Sequence, residues 1–579
     1  MFKGIAASPG IAIGKAYLYN SEDIQVPKMR IKASDIPSEI ARFEEALIKT
    51  RSELITIRNN ISMEMSAKHG DIFNAHLLVL EDRMIIDEVI SRLRDQKYNV
   101  EYIFEDVLRK YIDAFQKMDD EYLRERITDI EDVGKRFLRN LLGKKKQTLL
   151  DIPPKSIVVA YDLAPSDTAT MHRRHIVGFV TDIGGKTSHT AIMAKSLEIP
   201  AVVGLENITE NVKNGDTLII DGTTGHVYLN PPRSAVSQYI REQKKLIKSD
   251  KELQDLRCLP AQTVDGHRVE LGANIELPDE VSAVIAHGAE GIGLYRTEYF
   301  YMNRAGLPTE EEHYQAYKAV IDKIKPNTLT IRSLDLGGDK FLSQLDVPKE
   351  MNPFLGWRAI RLSLARPELF KVQLRAVLRA SAHGKLRLMY PMISGVEELD
   401  AANRCLDEAR QELRAKKIPF GRDMEVGVMI EVPSAAIIAD ILASRVDFFS
   451  IGTNDLIQYS LAVDRVNEKI AYLYEPAHPA VLRLLKNVIS AGHAKGIWVG
   501  MCGEMAGELK YVPLLLGLGL DEFSVPPPSL LKIKKIIRSV KYEDAKNLVS
   551  RALELSTGKE VEALISKRFR EIIYEVIRP

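Results

Sequence analysis

The sequence predicts a multidomain α/β protein in which a small α/β domain, interrupted by a helical bundle, precedes a (β/α)8 barrel. Three observations predict this fold. The chain has 579 residues, too many for one typical domain. Strand-like and helix-like runs alternate regularly after residue 261, and one long early segment almost lacks Pro and Gly. We expect the α/β domain at 1–30 and 145–230, the helical insertion at 31–144, a linker helix at 231–260 and the barrel at 261–579.

The N-terminal half begins with short apolar runs broken by Ser8-Pro9-Gly10, which predict strand, turn and strand. From Ser34 to Leu142, apolar residues recur every three or four positions among charged residues, as in a helical bundle. Residues 150–230 return to β-like runs separated by Gly, Asp and Asn. The bundle is therefore predicted to be an insertion. The stretch SQYIREQKKLIKSDKELQDLR, polar on all sides, then predicts a solvated connecting helix.

Eight β-rich runs follow in the last half: VELGANI, GIGLYRTEY, TLTIRSLDL, LRLMYPMI, VGVMIEV, FFSIGTND, IWVGMCGE and DEFSV. Helical stretches separate them, which is typical of a (β/α)8 barrel with its active site at the C-terminal ends of the strands. Polar residues lie late in these runs or just after them, namely Asn274, Arg296, Arg332, Glu431, Asn454, Asp455, Cys502 and Glu504. These residues are the candidates for chemistry.

Composition excludes several classes of protein. The 80 Lys and Arg residues balance 80 Asp and Glu residues, so no net positive field favours nucleic acid or anionic lipid as a partner. The cysteines Cys258, Cys405 and Cys502 are odd in number and far apart, which favours free thiols in a reducing compartment. No signal-peptide core and no transmembrane-length apolar run is visible. We therefore predict a cytoplasmic protein without membrane insertion.

Four arginines, Arg296, Arg332, Arg358 and Arg465, lie at strand ends or in the loops that follow. Because a guanidinium group matches carboxylate and phosphate oxygens in pairs, this set predicts a small substrate with several negative charges. Most arginines in any protein are instead surface residues or ion-pair partners, and that reading stays open, above all for Arg358.

Glu431 and Asp455 end two successive runs, so their carboxylates could share one cation. Hard oxygen ligands favour Mg²⁺, which completes its coordination shell with substrate and water. The alternative is a pair of structural carboxylates that cap the following helices.

His189 and Cys502 are the candidate reactive side chains. His189 follows a Gly184-Gly185 turn and opens a predicted helix, where the helix dipole favours neutral imidazole and free amides could hold a phosphoryl group. Cys502 follows the seventh run, and an unperturbed thiol is protonated at neutral pH, so it could give a proton to a carbanion. Each could equally be a structural residue, as most histidines and free cysteines are.

At this point the sequence resembles the Enzyme I family of bacterial phosphotransferase systems, the phosphoenolpyruvate-protein phosphotransferases. The segments that carry the resemblance include GIAASPGIAIGKA, DDEYLRER, VGKRFLRNLLG, DLAPSDTA, GGKTSHTAIMAKSLEIPAVVG, GAEGIGLYRTEYF, LDLGGDK, NPFLGWRAIR, FFSIGTNDLIQYSLAVDR and MCGEMAG. The resemblance implies that His189 is phosphorylated and that Cys502 protonates the enolate. It further implies a phosphoenolpyruvate site of Arg296, Arg332, Asn454, Asp455 and Arg465, and a Mg²⁺ site of Glu431 and Asp455.

The resemblance also implies that the helical insertion docks the carrier protein HPr, that the barrel forms a homodimer, and that a hinged motion brings the two halves together. Two positions depart from the pattern: Lys186 stands where Arg is common, and Pro526-Pro527-Pro528 replaces small polar residues. The alternative functions are an ATP-using phosphoenolpyruvate synthase or pyruvate phosphate dikinase, although no P-loop is visible, and a non-enzymatic regulatory scaffold.

Overall fold

The computed structural model divides the chain into two compact units, Met1–Ile247 and Lys248–Pro579. The structure describes residues 1–19, 26–64, 76, 77, 79–116, 121–143, 152–163, 175–185, 191, 194, 199–301, 306–336, 350–465, 467 and 469–577. Among the helices within these ranges, none is both long enough and apolar enough to cross a membrane.

An eight-stranded sheet forms the first unit's α/β part. Its strands are β1 (Phe2–Lys3), β2 (Ile5–Ser8), β3 (Ile11–Tyr19), β4 (Ser156–Ala160), β5 (Ile176–Thr181), β6 (Ala201–Val203), β7 (Thr217–Asp221) and β8 (His226–Leu229). The order is β1-β8-β7-β3-β4-β5-β6-β2, with β3 to β6 parallel to one another. Alternate residues of β4 enter two separate apolar clusters, so both faces of the sheet are covered.

The helical segment lies between β3 and β4 in the chain, although these two strands pair side by side. It contains a short 3₁₀ turn at Ala33–Asp35 and helices at Ile36–Glu64, Arg83–Gln96, Val100–Gln116 and Glu121–Leu141. Their apolar stripes meet around Phe43, Phe104 and Phe137, with ring centroids 4.3 Å apart for the last two. The predicted strand, turn and strand at the N-terminus and the predicted helical insertion are both confirmed.

After β6, the described residues of the first unit also form a short helix at Ile208–Asn211, and a long helix spans Arg233–Asp255. The long helix begins four residues before the polar stretch that predicted it, because Arg233 to Val236 add a first turn that sequence polarity does not mark. The boundary between the two compact units falls within this helix.

The second unit is a closed barrel of eight parallel strands, as predicted. The strands are β9 (Glu270–Ile275), β10 (Gly291–Tyr295), β11 (Thr328–Arg332), β12 (Leu386–Tyr390), β13 (Glu425–Ile430), β14 (Phe448–Ile451), β15 (Trp498–Met501) and β16 (Glu522–Val525). Most end a few residues before the predicted runs do, since the polar residues at the end of each run turn out of the hydrogen-bonded ladder.

Helices surround the barrel at Val281–Ala286, Glu310–Ile324, Ala359–Ala365, Pro367–Ser381, Val396–Ala415, Pro433–Ile437, Ala439–Leu442, Thr453–Leu461, Pro479–Ala494, Glu504–Gly507, Val512–Leu518, Leu530–Ser539, Tyr542–Ala552 and Gly558–Ile577. Short 3₁₀ turns lie at Pro278–Glu280, Glu298–Tyr301, Pro353–Leu355, Ala471–Leu473, Leu509–Tyr511 and Pro527–Ser529. The proline-rich loop therefore forms a helical turn leading into Leu530–Ser539, where the missing amide hydrogens of proline cost little.

Successive side chains along each barrel strand point alternately into the barrel interior and toward the surrounding helices. Phe448 belongs to a small cluster with Leu294, Met389 and Met429, whereas its neighbour Phe449 packs in the large core shared with the helices. Cys502 joins the small cluster, so the strand-end thiol lies against the packed barrel interior.

Candidate active site at the C-terminal face of the barrel

The C-terminal ends of neighbouring barrel strands carry most of the predicted site residues. Arg332 is the last residue of β11, and Glu431 directly follows β13. Asp455 lies in the first turn of the helix after β14, and Cys502 follows β15. In a parallel barrel these ends share one rim, so the strand order alone brings the four side chains to the same face.

A continuous series of ion pairs crosses this rim, and we call it the arginine–aspartate chain: Arg332, Asp335, Arg358 and Asp455. Arg332 Nη1 lies 2.9 Å from Asp335 Oδ2, and Arg358 Nη2 lies 2.8 Å from Asp335 Oδ1. The same Arg358 nitrogen lies 3.4 Å from Asp455 Oδ2. Every member has a side chain that is less than 15% exposed, so these charges are held away from water. Arg332 and Arg358 are therefore buried ion-pair partners and not surface residues.

Burial and charge act in opposite directions on the carboxyl groups of the rim. Burial alone would raise the pKa of Asp335, but Arg332 and Arg358 hold that pKa below its ordinary value. Burial raises the pKa of Glu431 well above its usual range, and the nearby charge of Asp455 raises it further. At Glu431, Arg332 and Arg358 only partly offset these effects, whereas at Asp335 the same two arginines outweigh the effect of burial.

The Glu431 and Asp455 pair has the chemistry of a divalent cation site. Glu431 is 2% exposed and accepts a hydrogen bond from the Met392 amide through Oε1, at 2.6 Å. Two buried carboxylates that raise each other's energy would both be stabilised by a shared hard cation. Among the residues that the structure describes, no set of three His, Cys, Asp or Glu side chains forms a closed metal cluster. A cation here would therefore take its other ligands from substrate and water, which fits the donor set.

A second polar group lies at the outer part of the rim. Arg465 Nη1 lies 2.7 Å from Glu504 Oε1, and Asn454 Nδ2 donates to the same oxygen at 3.1 Å. The Asn454 side-chain oxygen accepts from the Glu504 amide at 2.8 Å. Arg296 pairs with Glu276 at 2.9 Å and, like Arg465, is 36% exposed at its side chain. These two arginines are accessible to a small anion, in contrast to Arg332 and Arg358.

Cys502 is 3% exposed and packs against the barrel interior. Burial raises the pKa of its thiol to about 11. The thiol therefore keeps its proton at neutral pH and can act as a proton donor rather than as a nucleophile. Gly503 lets the Cys502 turn lie close to the start of the helix that carries Asp455, because a Cβ at Gly503 would lie 1.9 Å from Thr453 Oγ1.

Three non-glycine residues with positive φ lie beside the site. Ala359 (φ 53°) follows Arg358, Met392 (φ 55°) donates its amide to Glu431, and Ala462 (φ 54°) ends the helix that carries Asp455. Such conformations cost roughly 1 to 3 kcal/mol each and persist where the surrounding structure imposes them. Their presence at this rim indicates that the fold holds the site residues at the expense of local backbone energy.

The predicted nucleophile His189 lies outside the described residues, as does most of its predicted helix. The described chain before it includes β5 and a turn at Gly184, whose φ of 123° requires glycine. Asp182, in the same turn, accepts hydrogen bonds from the amides of Ile208 and Thr209 and so fixes the exit of the strand. The role of His189 stays a prediction.

Sequence reasoning did not single out Asp335, Glu298 or Tyr459. Glu298 Oε1 lies 2.5 Å from Arg332 Nη2, and the Tyr459 hydroxyl accepts from Arg358 Nη1 at 3.3 Å. Asp335 lies three residues after Arg332, in the segment LDLGGDK. Its position just after a predicted strand is a signal from which the sequence could have identified it. Tyr459 lies inside a helix with no local signal, so only the tertiary structure reveals its contact.

Comparison with protein-family models gives three matches along the chain. The PEP-utilising enzyme N-terminal model matches residues 3–126, the mobile-domain model matches residues 152–225, and the PEP-binding domain model matches residues 250–542. The "Phosphoenolpyruvate-protein phosphotransferase" of Staphylococcus carnosus (strain TM300) is 49% identical over 565 residues, covering 98% of each chain. The chain belongs to the phosphoenolpyruvate-protein phosphotransferase family. Its members with that name are enzymes.

Another phosphoenolpyruvate-protein phosphotransferase, from Haemophilus influenzae (strain ATCC 51907 / DSM 11121 / KW20 / Rd), is 48% identical over 567 residues and covers 98% of this chain and 99% of its own. The two full-length relatives confirm the resemblance found in the sequence motifs across nearly the whole chain. Among solved structures, a solution structure of Enzyme I is 43% identical, with a TM-score of 0.39, over 42% of this chain and 99% of that one.

Proposed function

We propose that this chain transfers the phosphoryl group of phosphoenolpyruvate to His189 and then to a histidine of an HPr carrier, releasing pyruvate, as the first step of sugar uptake by a phosphotransferase system. One observation carries the proposal. A buried arginine–aspartate chain meets a buried, protonated thiol on the C-terminal face of a barrel, in a member of this family. Those are the groups needed to hold a small anion and to protonate its carbon.

The arginines supply the anion site. Arg332 contributes a buried positive charge at the strand end, and its Nε has no hydrogen-bond partner among the described residues. Arg358 has its orientation fixed by Asp335 and Asp455, while Arg296 and Arg465 are exposed enough to exchange their carboxylate partners for substrate. Asn454 adds an amide donor. Together these groups match the phosphate and carboxylate of phosphoenolpyruvate.

Glu431 and Asp455 would hold Mg²⁺. When bound, the ion would neutralise charge on the transferred phosphoryl group. Because Arg358 forms an ion pair with Asp455, the cation site and the arginine site would lie side by side.

The chemical step uses one group on each unit. The neutral His189 imidazole attacks phosphorus, a P–N bond forms, and the bond from phosphorus to the enol oxygen breaks, leaving the electron pair on enolpyruvate. The Cys502 thiol gives its proton to C3, which yields pyruvate, and the thiolate then regains a proton from water. Because burial raises the pKa of the Cys502 thiol to about 11, the resulting thiolate is a strong enough base to be reprotonated rapidly.

The proposal also assigns a surface for HPr and a surface for dimer formation. The helical insertion, residues 31–144, is the surface for HPr, and the barrel unit, 261–579, forms the homodimer. The linker helix is assigned to 231–260, and the phosphohistidine domain to 1–30 with 145–230. These assignments are supported by the membership of the chain in the phosphoenolpyruvate-protein phosphotransferase family.

The test is label transfer from ³²P-phosphoenolpyruvate in the presence of Mg²⁺, with and without purified HPr. The full chain should acquire acid-labile label and pass it to HPr, whereas His189→Ala should acquire none and still bind phosphoenolpyruvate. Acid-labile label on the variant would overturn the assignment of His189. Labelled ATP serves as the second donor, and label from ATP would favour a dikinase or synthase instead.

Each compact unit, purified on its own, should carry out only one part of the reaction. Residues 1–247 should exchange label with phosphorylated HPr and should not react with phosphoenolpyruvate, since the arginines, the carboxylates and Cys502 lie in residues 248–579. The barrel unit should bind phosphoenolpyruvate and stay unlabelled. Direct labelling of the first unit by phosphoenolpyruvate would contradict this division.

A further inference from the structure

The backbone of Cys502 is held on both sides of its Cα by groups on other strands. Its amide donates to the Ile451 carbonyl at 3.1 Å, a contact that extends the pairing of β14 and β15. Its carbonyl accepts a hydrogen bond from Asn274 Nδ2 at 3.0 Å. Asn274 belongs to β9, which is two strands away from β15 in the barrel order. This contact is therefore an anchor that main-chain pairing cannot provide.

The intervening strand β16 determines how the Asn274 amide is turned. Ser524 Oγ lies 2.6 Å from Asn274 Oδ1 and donates its hydrogen to it. Ser524 is 1% exposed, so water does not compete for this contact. An amide oxygen can only accept and an amide nitrogen can only donate. With the oxygen bonded to Ser524, the nitrogen faces the Cys502 carbonyl.

The direction of the thiol depends on the backbone at Cys502, because a cysteine sulfur is joined to Cα through a single rotatable bond. Once that backbone is fixed, Sγ has only a few staggered positions, and in the one it adopts it lies 3.8 Å from the Ile451 carbonyl oxygen. Leu294, Met389, Met429 and Phe448 share an apolar cluster with Cys502, and the following Gly503 lies close to Thr453. A shift of the Cys502 carbonyl would therefore change the direction of the sulfur.

We propose that Asn274, oriented by Ser524, is a positioning residue that aims the Cys502 thiol at one face of the substrate carbon. This inference rests on the proposed role of Cys502 as proton donor. Asn274 and Ser524 touch neither the arginine–aspartate chain nor the Glu431 and Asp455 pair through any hydrogen bond that the structure describes. Their loss should consequently affect protonation much more than substrate binding.

The test follows the stereochemistry of proton addition in the full chain. Phosphoenolpyruvate with one deuterium placed stereospecifically at C3 is turned over in tritiated water with Mg²⁺ and excess purified HPr as the phosphoryl acceptor, and the configuration of the pyruvate methyl group reports the face that was protonated. The variants are Asn274→Leu, which keeps the size but removes the donor, and the milder Ser524→Ala. Ser434→Ala is the matched control, because Ser434 Oγ also donates to a strand-end loop carbonyl, that of Ser394, at 2.8 Å.

We expect the unchanged chain and Ser434→Ala to give one configuration. Asn274→Leu and Ser524→Ala should give a mixture of both, with kcat lowered at least about tenfold and KM within roughly threefold, as for a displaced catalytic group. One configuration and unchanged kcat in both variants would overturn the proposal.

Cys502→Ala distinguishes this proposal from the function on which it rests. A mixture of configurations from Cys502→Ala, together with a single configuration from both positioning variants, would reject the role of Asn274 alone. A single configuration from Cys502→Ala would show that another group delivers the proton, and the assignment of Cys502 itself would fall.

Discussion

Replacing Glu522 by glutamine is expected to stabilise the barrel above neutral pH and to have much less effect at pH 5. Glu522 begins β16, at the opposite end of the barrel from the site. Its side chain is 8% exposed, and one oxygen lies 3.5 Å from Arg387 Nη1. Burial raises the pKa of this carboxyl to about 7, because Arg387 only partly offsets the loss of hydration. A glutamine side chain at this position has nearly the same shape and no charge to bury.

The size of the effect follows from the shift in pKa. The unfolded carboxyl ionises near pH 4.5, so the folded state loses stability relative to the unfolded state as pH rises from 4.5 to about 7. At about 1.36 kcal/mol per pKa unit, the penalty is about 1 kcal/mol at pH 5 and about 3 kcal/mol at pH 8. The barrel unit has roughly 330 residues, and with an unfolding entropy of about 0.7 kcal/mol/K the difference corresponds to about 3 °C in Tm.

Differential scanning calorimetry of the full chain between pH 5 and pH 8 measures this effect on the barrel transition. Glu425→Gln is the matched control, since Glu425 also pairs with Arg387, at 2.6 Å, but is 43% exposed. Its Tm difference from the unchanged chain should grow much less with pH, because Glu425 is the smallest of the influences on the Glu522 pKa. Glu522→Gln should also retain phosphoryl uptake, because its side chain lies far along the strand from the rim. A Tm difference for Glu522→Gln that is the same at pH 5 and pH 8 would refute the reasoning.

Three other outcomes are expected. Cys502→Ala should lower pyruvate formation by about 100-fold or more while the KM for phosphoenolpyruvate stays within roughly tenfold, and steady-state kinetics that show unchanged turnover would make Cys502 a structural residue. Glu431→Gln should weaken Mg²⁺ binding to the resting chain by at least about tenfold, measured by titration calorimetry, and equal affinity would contradict a site at this carboxylate. Arg332→Met should destabilise the barrel by about 3 to 5 kcal/mol at pH 8, because Asp335 and Glu298 lose a buried cation. That loss should shrink at pH 5.5, since without Arg332 the pKa of Asp335 rises and protonation relieves its burial; a pH-independent loss in calorimetry would argue against this cause.

The strand runs and their order could be predicted from the sequence because each barrel strand is a short, apolar and β-rich segment. The periodicity of such segments is a local property, and closure into a barrel follows from eight repeats. The same logic places Arg332, Glu431 and Asp455 at one rim from the sequence alone. Most strands are shorter than the sequence predicts. Residues such as Arg296 belong to the predicted run but lie outside the hydrogen-bonded strand.

The interactions that tune the site depend on the tertiary structure. Asp335 holds two arginines, Asn274 reaches the Cys502 carbonyl from another strand, and Met392 adopts a left-handed φ to meet Glu431. Except for the pair of Arg332 and Asp335, which are three residues apart, these contacts join residues far apart in the chain, and the pKa values of Glu431 and Cys502 depend on burial that no local pattern records. Sequence by itself determined the fold class, the family and the residue types of the site, because these follow from local periodicity and motif. Distances, protonation states and backbone strain were decided by packing between strands far apart in sequence, where burial and charge act over a few ångströms of space.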